Sequence, residues 1–167
     1  KEINAVLNTL KKSTQMGVSL INFEKKIAKL SSKKYGLMVN SGSSALILAL
    51  KILNFPKGSE IIAPCLNFGT AISSIILSNL KPIFVDCEVD TLQIDIKKIE
   101  KKISKKTKAL LIPNLIGNIP NWIEIKKLAL KYNLKVIEDS ADTLGAKINN
   151  KPTGIYSDIS ITSFYGS

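Results

Sequence analysis

Short runs rich in Ile, Leu and Val recur along the chain, separated by longer segments of helical periodicity. The runs fall at 36–39, 60–63, 82–86 (PIFVD), 109–113 and 134–139 (LKVIED), with a more alternating stretch at 157–164; all read as strands. The intervening segments read as helices over 1–11, 20–31, 68–78, 95–103 and 121–132, with a further apolar helix running from NSGSSA to about Leu53. LKVIED is almost continuously apolar, as a strand covered on both faces must be. Strands that alternate with helices form βαβ units. The expected fold class is therefore α/β, three layers αβα around a mostly parallel sheet.

Local signals fit this scheme. The helix over 20–31 sets Leu20, Phe23, Ile27 and Leu30 on one face, with Glu24, Lys25 and Lys26 directed outward. Asp95 and Asn121 stand where N-caps are needed. Pro56-Lys57-Gly58 is a turn. With 167 residues, 45% of them hydrophobic, the chain can bury a sizeable core. It shows no repeat, low-complexity stretch or linker, so one domain is expected. Residue 1 is Lys and no structure follows SFYGS, so both ends are expected to be cut from a longer protein.

The net charge of +11 invites a nucleic-acid reading. Its distribution argues against one, because the lysine pairs 25/26, 33/34, 97/98, 101/102, 105/106 and 126/127 are spread over several helices as solvated faces. Readers of bases and phosphates lean on Arg and interleaved aromatics. Cys65 and Cys87 form no metal-ligand spacing, and His is absent, which excludes a His-ligated metal or a Ser/His triad within these residues. No signal peptide and no apolar run of about 18 residues is seen, so a cytoplasmic protein that does not enter a membrane is expected.

In parallel sheets ligands bind beyond the carboxyl ends of the strands. Four features lie there. NSGSSA (40–45) joins a strand to a helix; Gly42 admits close approach, and the hydroxyls of Ser41, Ser43 and Ser44 and the helix N–H groups suit a phosphate, although an ordinary Ser-rich N-cap reads the same way. Glu138-Asp139 ends LKVIED, where a carboxylate can meet a protonated ring nitrogen, cap a helix or bind a metal. Phe68 follows a strand and can stack on a flat heterocycle or serve as core. Ser163 ends the last strand and can donate to a phosphate or to its own neighbours.

The order of these features, with FEKKIAKL, NSGSSALILAL, KGSEIIAPCLNFGTAISSI, KPIFVDCEVDTLQID, KKTKALLIPNLIGN, LALKYNLKVIEDSADTLGA and SDISITSF, resembles the DegT/StrS sugar aminotransferase family of fold-type I pyridoxal-phosphate enzymes over about 15–164. The resemblance implies the large cofactor domain over about 32–167, entered from the helices of 1–31. It implies that Gly42, Ser43 and the adjacent Ser44 meet the cofactor phosphate, with Ser163. Phe68 stacks on the pyridine ring and Asp139 holds its nitrogen. Asp142 falls where many members have Gln, near the phenolic oxygen, and an acid there puts the usual hydrogen-bond pattern in doubt. No metal is implied.

The resemblance also places the deciding residue five positions after Ser163, next after Ser167. A Lys there links pyridoxal 5'-phosphate and supports amino transfer from an amino acid to a nucleotide-linked keto sugar. A His there marks a branch that uses pyridoxamine 5'-phosphate to remove the 3-hydroxyl of a nucleotide-linked 4-keto-6-deoxy sugar. Asn114, Gly117 and Asn118 of LIGN, Asp142 of EDSAD and the SFYGS stretch resemble the dehydratase branch, in surface polysaccharide or lipopolysaccharide synthesis. A homodimer and, for a dehydratase, an electron-supplying reductase are implied partners. An inactive fragment or non-catalytic binding module is the alternative from another class.

Overall fold

The computed structural model describes residues 1–12, 14, 15 and 17–165. Helices α1 (Glu2–Lys12) and α2 (Val18–Leu30) come first. Then follow α3 (Gly42–Leu53), β1 (Glu60–Pro64), α4 (Gly69–Leu77), β2 (Lys81–Val85), the short α5 (Ile96–Ile99) and β3 (Thr107–Pro113). After them come α6 (Trp122–Lys131), β4 (Lys135–Ser140), a small hairpin of β5 (Lys147–Ile148) and β6 (Lys151–Pro152), and β7 (Ile159–Thr162). Five strands form one sheet in the order β2-β1-β3-β4-β7, all parallel.

Consecutive strand residues feed opposite layers, as a period of two requires. Ile61, Ala63, Leu111, Ile137 and Ile161 pack under α3 and α4 with Leu46, Leu50, Ala71 and Ile75. Their neighbours Ile62, Leu110, Ile112 and Val136 pack under α5 and α6 with Ile99, Trp122, Ile125 and Ala129. Each fully buried Ile or Leu contributes roughly 1.5–3 kcal/mol of transfer free energy. This is the expected three-layer arrangement.

The caps stand where the sequence puts them: Asp95 Oδ1 accepts from Lys97 N at 3.1 Å and Asn121 Oδ1 from Glu124 N at 3.3 Å. The helix expected over 95–103 is shorter, tightening after Ile99 into a 3-10 turn at Glu100–Lys102. The strand expected over 157–164 is confined to Ile159–Thr162. The hairpin was not anticipated, although Asn149 and Asn150, both at positive φ, are the residues a tight two-residue turn asks for.

Two expectations are overturned. Residues 36–39 form no strand; Leu37 is 69% and Met38 48% exposed. No strand among the described residues hydrogen-bonds to them, and an apolar run without a ladder partner is not a strand. Glu24 is not directed outward: its Oε1 accepts from Met38 N at 2.8 Å and ties this segment to α2. The Leu20-Phe23-Ile27-Leu30 stripe is also shallower than periodicity suggested, since Ala28 is the one buried residue of α2. Tight backbone contacts fix α2 instead. A Cβ on Gly36 would lie 2.5 Å from Glu24 O, and one on Gly154 2.0 Å from Ser31 O.

Candidate active site at the carboxyl ends of the strands

The entry to α3 is built by Ser41. Its extended backbone makes it the N-cap, and its Oγ accepts from Ser44 N at 3.1 Å while donating to Ser44 Oγ. The Ser44 N–H and one lone pair of its Oγ thereby serve the cap, and the Ser44 hydroxyl keeps its own proton as a donor. The first two N–H groups of the helix, on Gly42 and Ser43, have no helical partner and point outward with the favourable end of the helix dipole. A Cβ on Gly42 would sit 3.6 Å from Ser163 Cβ and 3.7 Å from its Oγ. Gly42 at the helix N-terminus and the Ser163 side chain thus lie side by side. The pairing of β4 with β7 brings Ser163 there: Asp139 is opposite Ile161 and Ser140 opposite Thr162, and Ser163 is the next residue. Ser163 Oγ also accepts from Tyr165 N at 3.2 Å. Gly166 and Ser167 of the SFYGS stretch lie outside the described residues.

Asp139 shares its face of the sheet with Ile137, so it belongs to the α3/α4 side, as do Ile161 and Ser163. It is 6% exposed. Ala141 N donates to its Oδ1 at 3.1 Å, and Oδ2 makes no hydrogen bond among the described residues. Burial pushes its carboxyl above the usual range; the Ala141 N–H opposes this, and the nearby charges of Asp142 and Glu138 reinforce it. A buried carboxylate with a free oxygen is suited to a cationic N–H donor.

Phe68 is not core. It stands at the entry to α4 with 67% of its surface exposed, and Asn67 Oδ1 holds its N–H at 2.8 Å. Its ring is available for stacking on a flat ligand. It follows β1, two strands from β4 in the sheet order.

Asp142 is exposed and reaches sideways, its Oδ2 accepting from Ile116 N at 3.2 Å. The EDSAD and LIGN segments are therefore joined. Ile116 is held at φ 56°, unusual for a β-branched residue, and Gly117 at 78°. Asn118 Nδ2 donates to Thr91 O at 3.0 Å, anchoring the same loop from another side. Asn114 is 1% exposed and serves the interior. Its side chain accepts from Trp122 Nε1 at 2.8 Å and donates to Glu138 Oε1 at 3.0 Å. Glu138, on the opposite face from Asp139, is completely buried. Sequence reasoning named it only as a neighbour, though strand alternation in LKVIED would have directed it inward. Among the described residues no cluster of three or more His, Cys, Asp or Glu is placed for a metal ion.

The arrangement can thus do three things on one side of the sheet: cradle an anion at Gly42, Ser43 and Ser163, pair a cationic ring N–H at Asp139, and offer an aromatic face at Phe68. Residues 1–167 match the DegT/DnrJ/EryC1/StrS aminotransferase family model. The chain belongs to that family. Among its DegT/DnrJ/EryC1/StrS relatives, GDP-perosamine synthase of Escherichia coli O157:H7 is 39% identical over 87% of this chain and 40% of its own length. GDP-4-keto-6-deoxy-D-mannose 3-dehydratase of Escherichia coli O55:H7 is 35% identical over 99% of this chain and 44% of its own. The solved structure of the E. coli GDP-4-keto-6-deoxy-D-mannose-3-dehydratase with bound hydrated PLP superposes with a TM-score of 0.84 at 34% identity, covering 90% of this chain and 40% of that one. The chain therefore spans well under half the length of these relatives. No helix of the described residues is long and apolar enough to cross a membrane.

Proposed function

We propose that the protein is a pyridoxal- or pyridoxamine-phosphate-dependent enzyme acting on a nucleotide-linked keto sugar. The observation that carries this reading is the convergence of Gly42 with Ser163 on the same face of the sheet as Asp139. A Cβ at position 42 would stand at ordinary contact distance from the Ser163 side chain, so Gly42 and Ser163 lie close enough together to contact one bound phosphate, which supports the reading. The N–H groups of Gly42 and Ser43 and the Ser163 hydroxyl would hold that phosphate, and Asp139 Oδ2 would take the ring N–H. Phe68 would cover the ring face and exclude water from it. Asp142, bound to Ile116 N, would lie beside the phenolic oxygen and keep the LIGN loop at the site edge. When bound, the cofactor supplies an electron sink for negative charge on a substrate carbon. The part of Asp139 is to keep the ring nitrogen protonated so that the sink is effective.

Removal of the 3-hydroxyl from a 4-keto-6-deoxy sugar is the reading favoured here. It is supported by the contact between Asp142 and the LIGN loop and by the 35% identity to a GDP-4-keto-6-deoxy-D-mannose 3-dehydratase. The second reading, amino transfer to a nucleotide-linked keto sugar, is supported by the 39% identity to a GDP-perosamine synthase. Either activity belongs to the synthesis of surface polysaccharide or lipopolysaccharide, in the cytoplasm. We place the cofactor domain at about 32–167, entered from the helices of 1–31. The active form is a homodimer, and the dehydratase reading adds an electron-supplying reductase.

The experiment uses the full-length protein with stoichiometric pyridoxamine phosphate, an electron-supplying reductase with its reductant, and GDP-4-keto-6-deoxy-D-mannose. A 3-deoxy product found by mass spectrometry and NMR, with His at the position after Ser167, establishes the dehydratase. An amino sugar formed with glutamate, with Lys at that position, establishes the transaminase. Neither product from this or another nucleotide-linked keto sugar, together with no cofactor binding, sinks both and leaves a non-catalytic module.

A further inference from the structure

Behind Asp139, on the α6 side of the sheet, lies a closed polar network that the proposed chemistry does not use. Glu138 Oε1 accepts from Asn114 Nδ2 and from Ser140 Oγ, each at 3.0 Å, and its Oε2 accepts from Ser157 Oγ at 3.1 Å. Ser157 in turn accepts from Lys33, whose Nζ lies 3.0 Å from Ser157 Oγ, 2.5 Å from Ser157 O and 2.6 Å from Gly154 O. An ammonium has three donors, and all three are spent here. A carboxylate removed this far from water is costly unless a counter-charge and hydrogen bonds accompany it. Lys33 supplies that charge through one hydroxyl. Burial holds the Lys33 ammonium below its usual range; the Glu138 and Asp158 charges oppose this in part, and the Lys126 charge adds to it.

The network reaches Asp139 through the backbone. Asn114, whose side chain holds Glu138, also donates its own N–H to Asp139 O at 2.8 Å. Glu138 and Asp139 are adjacent on β4 and face opposite ways, so whatever fixes one fixes the direction of the other. Lys33 comes from the loop between α2 and α3, and its side-chain partners Gly154 and Ser157 are remote from it in sequence.

We infer that Lys33 and Glu138, bridged by the Ser157 hydroxyl, are positioning residues that hold Asp139 toward the cofactor side of the sheet. This rests on Asp139 as the partner of the ring nitrogen. The test uses the full-length protein and pyridoxal phosphate, with the dissociation constant read by titration calorimetry and folding read by thermal melts. Ser157→Ala removes only the bridge, and Lys33→Met leaves Glu138 without its counter-charge. Each is expected to weaken cofactor binding on the order of tenfold, the low end of what loss of an outer-shell partner costs. The double variant Lys33→Met/Glu138→Gln, which removes both charges, is expected to bind more tightly than Lys33→Met alone, because the unpaired buried charge is gone. Lower melting temperatures with an unchanged dissociation constant in Ser157→Ala would overturn the inference, as would a double variant that binds the cofactor no more tightly than Lys33→Met. Asp139→Asn run in parallel separates the two layers. If it binds the cofactor as well as the unsubstituted protein, the role given to Asp139 has failed. If it loses binding while Ser157→Ala and Lys33→Met do not, the positioning role alone has failed.

Discussion

At Asp139 function and stability pull in opposite directions. Burial raises its carboxyl above the unfolded value, so its favourable contribution is fully present below the unfolded pKa and is lost as pH rises through the folded one. At neutral pH the ionised group is a liability in the cofactor-free protein. Asp139→Asn keeps an acceptor for Ala141 N and removes the charge. It is expected to raise the melting temperature of the cofactor-free protein at pH 7, with the gain shrinking toward pH 3, while turnover in the full-length enzyme collapses. Gly42 offers a complementary case. Its Cβ would meet Ser163 only at ordinary contact distance, so Gly42→Ala should change unfolding free energy by no more than about 0.5 kcal/mol. The added methyl occupies the anion cradle, so pyridoxal phosphate affinity measured by calorimetry should fall with no loss of thermal stability.

At the level of elements, two joints position the site. Gly154 abuts Ser31 so closely that a Cβ would lie 2.0 Å from a carbonyl oxygen, with backbone on both sides of the clash. Gly154→Ala should cost about 2–3 kcal/mol, read as a shift of the urea midpoint at constant slope. Asp158 joins the starts of β4 and β7, its Oδ2 accepting from Val136 N at 2.8 Å and its Oδ1 from Lys135 Nζ at 3.2 Å. Burial pushes this carboxyl up, but the Val136 N–H and Lys135 together hold it below the usual range. A depressed acid contributes above its unfolded pKa and is lost as pH falls through the folded one. Asp158→Asn should therefore lower stability at neutral pH and flatten the acid limb of a pH-melting profile. Strands β1, β3 and β4 were legible because Ile-Ile, Leu-Leu and Val-Ile pairs can only feed two buried faces. The caps Asp95 and Asn121 were legible because capping is local chemistry. The segment 36–39 was misread because an apolar run does not report whether a neighbour will pair with it. Lys33, expected as part of a solvated lysine face, is instead part-buried, since its side-chain partners lie more than a hundred residues away in sequence.

For the whole molecule, the contrast lies between a core that is closed on both sides of the sheet and an amino-terminal region that is not. No residue of α1 is buried, and Ile3, Val6, Leu7 and Leu10 lie 47–76% exposed. Removing residues 1–12 from the chain should shift its unfolding free energy by less than about 0.5 kcal/mol in urea titration, since nothing in the core loses a neighbour. The proposed site residues could be named from the linear sequence only as a set. Gly42, Asp139 and Ser163 are each commonplace, and the sheet register makes them neighbours. The six residues of β4 have a further consequence for how such a protein can diverge. One face of that strand buries Ile137 beneath α3 and α4 before it presents Asp139 at the carboxyl end, and the other presents Glu138 and Ser140 to the scaffold. Heritable variation at neighbouring positions is thus filtered by different criteria. A saturation scan across residues 136–140 should show a stripe of fold-critical positions, with abundance of folded protein falling at 136, 137, 138 and 140. At 139, catalytic output should fall at undiminished abundance. A lineage can explore new reactions at 139 while its fold is guarded by the stripe.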